Sequence, residues 1–243
     1  MLTLITADMD GTLLSPEQKL SDRFVALLDE IVKRRIDFVV ASGRQYQNLI
    51  AHFPAHRDKI FIISENGACV FFQSQCLYHV AIKDDVLSEL YRAADTFCDA
   101  LTIISGPKTA YIKKTHRPAQ LAYLAELVKY YAHIVVVDQY AQIPDPVTKY
   151  TVCHYGGVEK NICPNLEPFV TRTNISVSGK IFVDITSPEA SKGSALSFIQ
   201  SLRGHRPDTT IAFGDFLNDI ELLQQARYSF AMENAHPTLF SHA

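Results

Sequence analysis

Both ends of the sequence alternate short apolar runs with helical patterns, and this alternation restricts the folds open to the chain. Residues 2–7, 37–41 and 60–64 are apolar runs of strand length, and residues 24–32 carry apolar side chains at helical spacing. Parallel neighbours need a crossover connection, which is usually a helix. The first part of the chain therefore predicts a parallel sheet with right-handed crossovers.

The same pattern returns near the end of the chain, with a helix from Ser191 to about Arg203 and apolar runs at 209–213 and 228–231. The middle of the chain differs, because short strands there alternate irregularly with helices predicted at about 84–98, 117–131 and 158–170. The sequence thus predicts a core built from both ends of the chain, with an α+β module inserted between them.

Composition excludes several classes of protein. The net charge of −3 implies no strongly basic surface, so nucleic acid is not an expected partner. The five cysteines form no CxxC pair, which argues against a zinc site or a disulfide framework and favours a reducing cytoplasm. No apolar stretch approaches the roughly 18 residues of a membrane span, so no membrane partner is expected.

Polar residues follow the predicted strands of the core. Ligands gather at the carboxyl ends of the strands in an open parallel sheet, so these residues are expected to meet there. They are Asp8 and Asp10 in the string DMDGT, Ser42 with Gly43, Asn66 with Gly67, and Asp215 with Asn218 and Asp219, while Lys192 starts a helix that enters the same layer.

Three acids at one sheet edge predict a Mg²⁺ site, because the cation relieves their repulsion and binds substrate phosphate. Asp8 and Asp215 are the expected carboxylate ligands. Asp10 is expected to bind the metal through its main-chain carbonyl while its carboxyl group serves as general acid and base. Gly11 allows the tight turn between these groups.

The remaining residues match a phosphate group. Ser42 offers a hydroxyl, the amides around Gly43 can cradle oxygens, and Lys192 supplies a positive charge. Taken singly, Asp8 or Asp10 fits a turn, Lys192 a solvated helix, and Asp215 or Asn218 a helix N-cap. Together they favour a carboxylate nucleophile that forms an aspartyl-phosphate.

These motifs resemble those of the haloacid dehalogenase superfamily, and within it the Cof-type phosphatases with a type IIB cap. The strings that carry the resemblance are DMDGTLL at 8–14, ASGR at 41–44, SENGA at 64–68, SKGSAL at 191–196 and GDFLNDIELL at 214–223. The resemblance implies an α/β fold with a Rossmann-like parallel-sheet core at 1–83 and 186–243 and an α+β cap domain at 84–185.

The resemblance also implies a role for each site residue. Asp8 would be the nucleophile and Asp10 the acid and base. The metal ligands would be Asp8, Asp10 and Asp215, with Asp219 behind them. Phosphate or substrate would contact Ser42, Gly43, Arg44, Lys192 and Asn218. Arg44 is equally expected as an ion-pair partner. The expected activity is that of a phosphoric monoester hydrolase acting on sugar phosphates, nucleotides or phosphorylated cofactors.

Alternatives within and outside this enzyme class stay open. A phosphomutase or a specialised sugar-phosphate phosphatase would share the same core, and a weakly catalytic sensor of phosphorylated metabolites would share the binding site. Asp10 argues against dehalogenase chemistry. Glu233 stands where family members usually carry glycine, and it is expected to disturb a turn. A monomer or a homodimer fits the sequence equally.

Overall fold

The computed structural model describes residues 2–97, 99–116, 118–127 and 131–243. The chain divides into two compact units. The first combines Met1–Tyr78 with Ala190–Ala243, and the second is the continuous segment His79–Glu189. Among the described residues, no helix combines the length and the apolar character that crossing a membrane requires.

The strands and α-helices of both units are numbered together along the chain. The strands are, in chain order, β1 (Leu4–Asp8), β2 (Asp37–Ala41), β3 (Phe61–Ser64), β4 (Cys69–Phe72), β5 (Gln75–His79), β6 (Leu101–Ser105), β7 (Ala110–Lys113), β8 (Ile134–Val137), β9 (Lys149–Cys153), β10 (Asn174–Gly179), β11 (Phe182–Thr186), β12 (Thr210–Gly214) and β13 (Tyr228–Ala231). The α-helices are α1 (Asp22–Lys33), α2 (Tyr46–Ile50), α3 (Asp84–Ala94), α4 (Pro118–Leu127), α5 (Val158–Asn161), α6 (Cys163–Leu166), α7 (Lys192–Arg203) and α8 (Ile220–Gln224).

The first unit is built on a sheet with the strand order β13-β12-β1-β2-β3-β4-β5. Strands β13, β12, β1, β2 and β3 run parallel, and β4 is antiparallel to β3. The predicted parallel sheet of the core is therefore confirmed. The sheet places β1 between β12 and β2, so the carboxyl ends of these three parallel strands lie at the same edge.

Helix α1 shows how the local sequence sets an element. The Ser21 hydroxyl caps it by accepting the Phe24 amide at 3.1 Å, and Leu28 and Ile31 are buried against the sheet. The apolar face predicted for this helix is wrong at Leu27, which is 55% exposed. Residues 24, 28 and 31 follow the helical repeat, whereas position 27 is rotated off that stripe.

The second unit contains a sheet of the order β10-β11-β9-β6-β7-β8, in which β7 and β8 pair in parallel and the other neighbouring strands of the described residues pair antiparallel. The predicted α+β character is confirmed. The single helix predicted at 158–170 is wrong: α5 ends before α6, and a 3₁₀ turn follows. Pro164 and Pro168 explain the breaks, because proline has no amide hydrogen to continue a helix.

Two other predicted helices of this unit extend past the described part of the chain. Residue 98 lies at the end of the helix predicted at 84–98, and residues 117 and 128–130 belong to the one predicted at 117–131; all of them lie outside the described residues. The structure has two strands, β10 and β11, after α6, where the sequence predicts a single strand at 175–177.

Candidate active site

The register of the parallel strands brings the ends of four strands to one edge. Ala7 lies opposite Phe213, Asp8 lies opposite Ala41, and Ala41 lies opposite Ile63. Polar residues stand at or just after these positions, and Asp8, Ser42 and Asp215 among them are ones that the sequence singled out. Asp215, Asp8, Ser42 and Ser64 therefore come from adjacent strand ends in that order across the sheet.

Lys192 joins this edge from the first turn of α7. The helix begins there because Ser191 caps it, with its hydroxyl accepting the Ser194 amide at 3.0 Å. The loop after β3 packs against this start: Gly67 has a φ of +97°, and a Cβ on it would collide with the Ser191 carbonyl. The Lys192 side chain is 1% exposed, so its ammonium group must be paired.

Two carboxylates pair with Lys192. Its Nζ lies 2.5 Å from Asp8 Oδ1 and 2.6 Å from Asp219 Oδ1. Asp219 is fully buried, and its other oxygen accepts the amides of Asp215 and Phe216 at 3.0 and 3.1 Å. Both oxygens of Asp219 are thus engaged by donors of the protein, and the residue fixes the loop that carries Asp215.

Asp215 completes a group of three acids, since carboxylate oxygens of Asp8, Asp215 and Asp219 all lie within 4.8 Å of one another. The hydroxyl of Thr12 donates to Asp215 Oδ1 at 3.2 Å. Gly11 makes this approach possible: its φ is +83°, and a Cβ there would collide with the Asp215 carboxylate. Three carboxylates around one ammonium leave an excess of negative charge.

This excess is reflected in the acid–base properties of the group. Burial raises the pKa of Asp8 to about 7; Lys192 opposes that rise, while Asp219 and Asp215 add to it. Burial also raises the pKa of Asp215, with Asp219 adding to the effect. Burial acts to lower the pKa of Lys192, but Asp8 and Asp219 outweigh it and hold the pKa above its ordinary value. The lysine therefore stays charged, and the acids favour a bound proton or cation.

Asp10 is more open than Asp8 and is paired with Arg44. The Arg44 Nε donates to Asp10 Oδ2 at 2.8 Å, and Nη2 contacts the other oxygen, Oδ1. The Asp10 side chain is 45% exposed and that of Arg44 is 24% exposed. Arg44 is thus the partner of the predicted acid and base, in line with the ion-pair alternative.

A second group, at the ends of β2 and β3, contains the predicted phosphate-binding residues Ser42 and Gly43, and Asn218 contacts it from the loop after β12. The Ser42 hydroxyl is buried and accepts the Arg44 amide at 3.1 Å. Gly43 lies against Asn66, because a Cβ on Gly43 would be 2.9 Å from Asn66 Oδ1. The same Oδ1 accepts the Asn218 side-chain amide at 3.1 Å.

Two residues of this region, Thr12 and Asn234, were not singled out by the sequence, and Asn66 was expected at the sheet edge without an assigned role. The Asn234 side chain donates to the Gly11 carbonyl at 3.0 Å and lies 3.5 Å from Asp215 Oδ2. Thr12 lies in the string DMDGTLL and Asn66 in SENGA, so a sequence signal for these two was present, whereas Asn234 lies outside the strings that carry the resemblance. Glu233 has no left-handed φ, and the turn from Met232 closes with the Ala235 amide at 2.9 Å.

Comparison with known proteins points to one family. The chain is 31% identical over 236 residues to the 5-amino-6-(5-phospho-D-ribitylamino)uracil phosphatase YbjI of Escherichia coli K12, covering 96% of this chain and 86% of the relative. It is 27% identical over 245 residues to the HMP-PP phosphatase of Citrobacter koseri, covering 99% of this chain and 88% of the relative.

A solved structure agrees with the relatives. SMU.1108c from Streptococcus mutans UA159 matches with a TM-score of 0.83 at 29% identity, over 100% of this chain and 92% of that one. Residues 5–243 match the model of the haloacid dehalogenase-like hydrolases. The chain therefore belongs to the haloacid dehalogenase-like hydrolase family, with an α/β Rossmann-like core and an α+β cap, and is a Cof-type phosphatase that hydrolyses phosphoric monoesters.

Proposed function

We propose that the protein is a Mg²⁺-dependent phosphatase that acts on small phosphorylated metabolites through an aspartyl-phosphate on Asp8. The observation that carries this proposal is the group of Asp8, Asp215 and Asp219, in which Asp8 and Asp219 contact the buried ammonium of Lys192. A buried group with surplus negative charge, at the carboxyl ends of parallel strands, suits a divalent cation and a phosphate ester.

The donor set fits Mg²⁺, which prefers carboxylate and carbonyl oxygens. Both oxygens of Asp219 are occupied by Lys192 and by main-chain amides, so Asp8 and Asp215 are left as the carboxylate ligands. The Asp10 carbonyl is proposed as a further ligand. When bound, the cation neutralises charge on the transferring phosphoryl group.

The residues of the chain then account for two displacements. An Asp8 carboxylate oxygen attacks phosphorus, the bond to the ester oxygen breaks, and a proton from Asp10 goes to the departing alcohol. Water next attacks the phosphorus of the aspartyl-phosphate, Asp10 takes a proton from that water, and phosphate leaves with Asp8 restored. Lys192 stabilises negative charge on Asp8 and on the phosphoryl oxygens.

The group at the ends of β2 and β3 is proposed to bind the substrate phosphate. Ser42 provides a hydroxyl, Gly43 main-chain amides, and Asn218 a side-chain amide. The fixed contact between Asn218 and Asn66 supports this assignment, because it holds the Asn218 amide beside Gly43.

The substrate is proposed to be a metabolite-sized phosphate ester whose alcohol part is selected by residues of the cap, 84–185. The name of the relative from Escherichia coli gives one such ester, 5-amino-6-(5-phospho-D-ribitylamino)uracil. We take this ester as the first compound to test and the sugar phosphates as the second group. A cytoplasmic location and a monomeric or homodimeric state remain predictions.

The deciding experiment measures release of p-nitrophenol from p-nitrophenyl phosphate by the parent protein and by Asp8→Asn, with Mg²⁺ and with EDTA. We expect turnover only by the parent with Mg²⁺, since the amide cannot act as nucleophile. The exposed Asp58→Asn is the matched control and should keep its activity. Equal rates for Asp8→Asn and parent would refute the nucleophile assignment. A panel of metabolite phosphates ranked by kcat/KM then identifies the substrate class.

A further inference from the structure

Arg44 uses all three nitrogens of its guanidinium group in contacts with the protein. Nε and Nη2 form the fork on the Asp10 carboxylate, Nη1 donates to Asn48 Oδ1 at 3.0 Å, and Nη2 also contacts Gln18 Oε1. Each nitrogen of the guanidinium group is therefore engaged within the first unit. Because these contacts already use the Arg44 nitrogens, the guanidinium group is poorly placed to bind phosphate and well placed to hold Asp10.

The backbone of Arg44 is held as firmly as its side chain. Its amide donates to the Ser42 hydroxyl at 3.1 Å, and its carbonyl accepts the Glu65 amide at 3.0 Å. Asn48 lies on α2, one turn along the chain, and Gln18 reaches Arg44 from the loop after β1 with a left-handed φ of 61°. The loop after β1, helix α2 and the segment after β3 thus fix the direction in which the Arg44 guanidinium group points.

We propose that Arg44 is a positioning residue that holds Asp10 as an oriented carboxylate, ready to act as the base of the second displacement. This inference rests on the proposed function, because it takes Asp10 as the group that accepts the proton of the attacking water. In that step the oxygen of water bonds to phosphorus, the bond from phosphorus to the Asp8 oxygen breaks, and the proton of water passes to Asp10.

The fork geometry explains why the base step is the one that depends on Arg44. An ionised carboxylate has about four lone-pair sites, and a bidentate arginine occupies two of them. The remaining sites can still accept a proton from water. A lysine could supply the charge but not the planar fork, so it would not fix the orientation of the carboxylate.

The test separates the two displacements by stopped-flow kinetics with p-nitrophenyl phosphate and saturating Mg²⁺. p-Nitrophenolate leaves without needing a proton, so the first displacement should proceed normally in Arg44→Ala. We expect a burst of about one p-nitrophenolate per active site, followed by a steady rate at least about tenfold below that of the parent, since a positioned acid or base contributes about 10²–10⁴-fold.

Further variants show whether orientation is the cause. Arg44→Lys should behave like Arg44→Ala, and added guanidinium ion should restore part of the steady rate of Arg44→Ala. Gln18→Ala leaves the fork in place and should show a smaller loss, which keeps the test usable if Arg44→Ala folds poorly. The exposed Arg57→Ala is the matched control and should follow the parent in both phases.

Asp10→Ala separates failure of this inference from failure of the proposed function. A slow steady phase in Asp10→Ala but not in Arg44→Ala or Arg44→Lys would overturn the role of Arg44 and leave the proposed function intact. Unchanged steady phases in all three variants would overturn both. Equal loss of the burst and of the steady phase in Arg44→Ala would show a merely structural role and would also refute the inference.

Discussion

Replacement of Lys192 by methionine is the most direct test of the charge arrangement at the sheet edge. The side chain is 1% exposed and its Nζ contacts Asp8 at 2.5 Å and Asp219 at 2.6 Å. Methionine fills a similar volume but leaves two buried carboxylates without their cation. Removing one partner of a buried ion pair costs about 3–5 kcal/mol. For a chain of this size that corresponds to a fall in Tm of about 6–20 °C.

The measurement is urea and thermal unfolding in EDTA, so that no cation substitutes for the ammonium group. Lys33→Met is the matched control, because the pair of Lys33 with Glu30 is exposed at 70% and 53%, and no measurable change is expected there. Adding Asp219→Asn to Lys192→Met removes one of the uncompensated charges and should restore part of the lost stability. A loss below about 1 kcal/mol in Lys192→Met would refute the reasoning.

Three further predictions concern pH, a glycine and the second unit. Because the pKa of Asp8 is raised to about 7, its contribution to stability is full below pH 3.8 and is lost as pH rises through 7. Bound Mg²⁺ would offset the charge that Asp8 then carries, so Mg²⁺ should raise Tm more at pH 8 than at pH 5. An equal rise in Tm at the two pH values would contradict this prediction. Gly11→Ala, strained at φ +83° and crowded by Asp215, should lose about 1–2 kcal/mol and require more Mg²⁺ for half-maximal activity. Tyr150→Phe removes the buried hydrogen bond to the Leu90 carbonyl, 3.0 Å long, and should cost about 1–3 kcal/mol in urea unfolding; no loss would show that the carbonyl finds another donor.

The core elements were predictable where an apolar run ends at a strong local signal. Strand β2 at Asp37–Ala41 and strand β13 at Tyr228–Ala231 have the predicted bounds, and helix α7 begins after its serine cap as predicted. Helical periodicity did not predict which apolar residues at the edge of the apolar stripe are buried. Leu27 is apolar yet exposed, because a helix of this length needs only one stripe of side chains to pack on the sheet.

The candidate site was predictable as a list of residues but not as a set of contacts. The string DMDGT indicated the chemistry, yet its Thr12 hydroxyl meets a carboxylate 203 positions away. The link between Asn66 and Asn218 spans 152 positions. Such pairings depend on strand order and register, which a single sequence does not encode locally. Arg44 illustrates the same limit, because only the structure shows that its fork is directed at Asp10.

The discontinuity of the first unit has a consequence for the time course of biosynthesis. Strand β1 lies inside its sheet, but one of its two neighbours is β12, and the hydroxyls of Thr3 and Thr209 that meet beside them are 206 positions apart. At about 5–20 residues per second, a ribosome needs about 10–40 s to supply that neighbour. Until then β1 has an unpaired apolar edge, while the continuous segment His79–Glu189, a compact unit of its own, has already been synthesised. We therefore expect the nascent chain to engage chaperones during that interval.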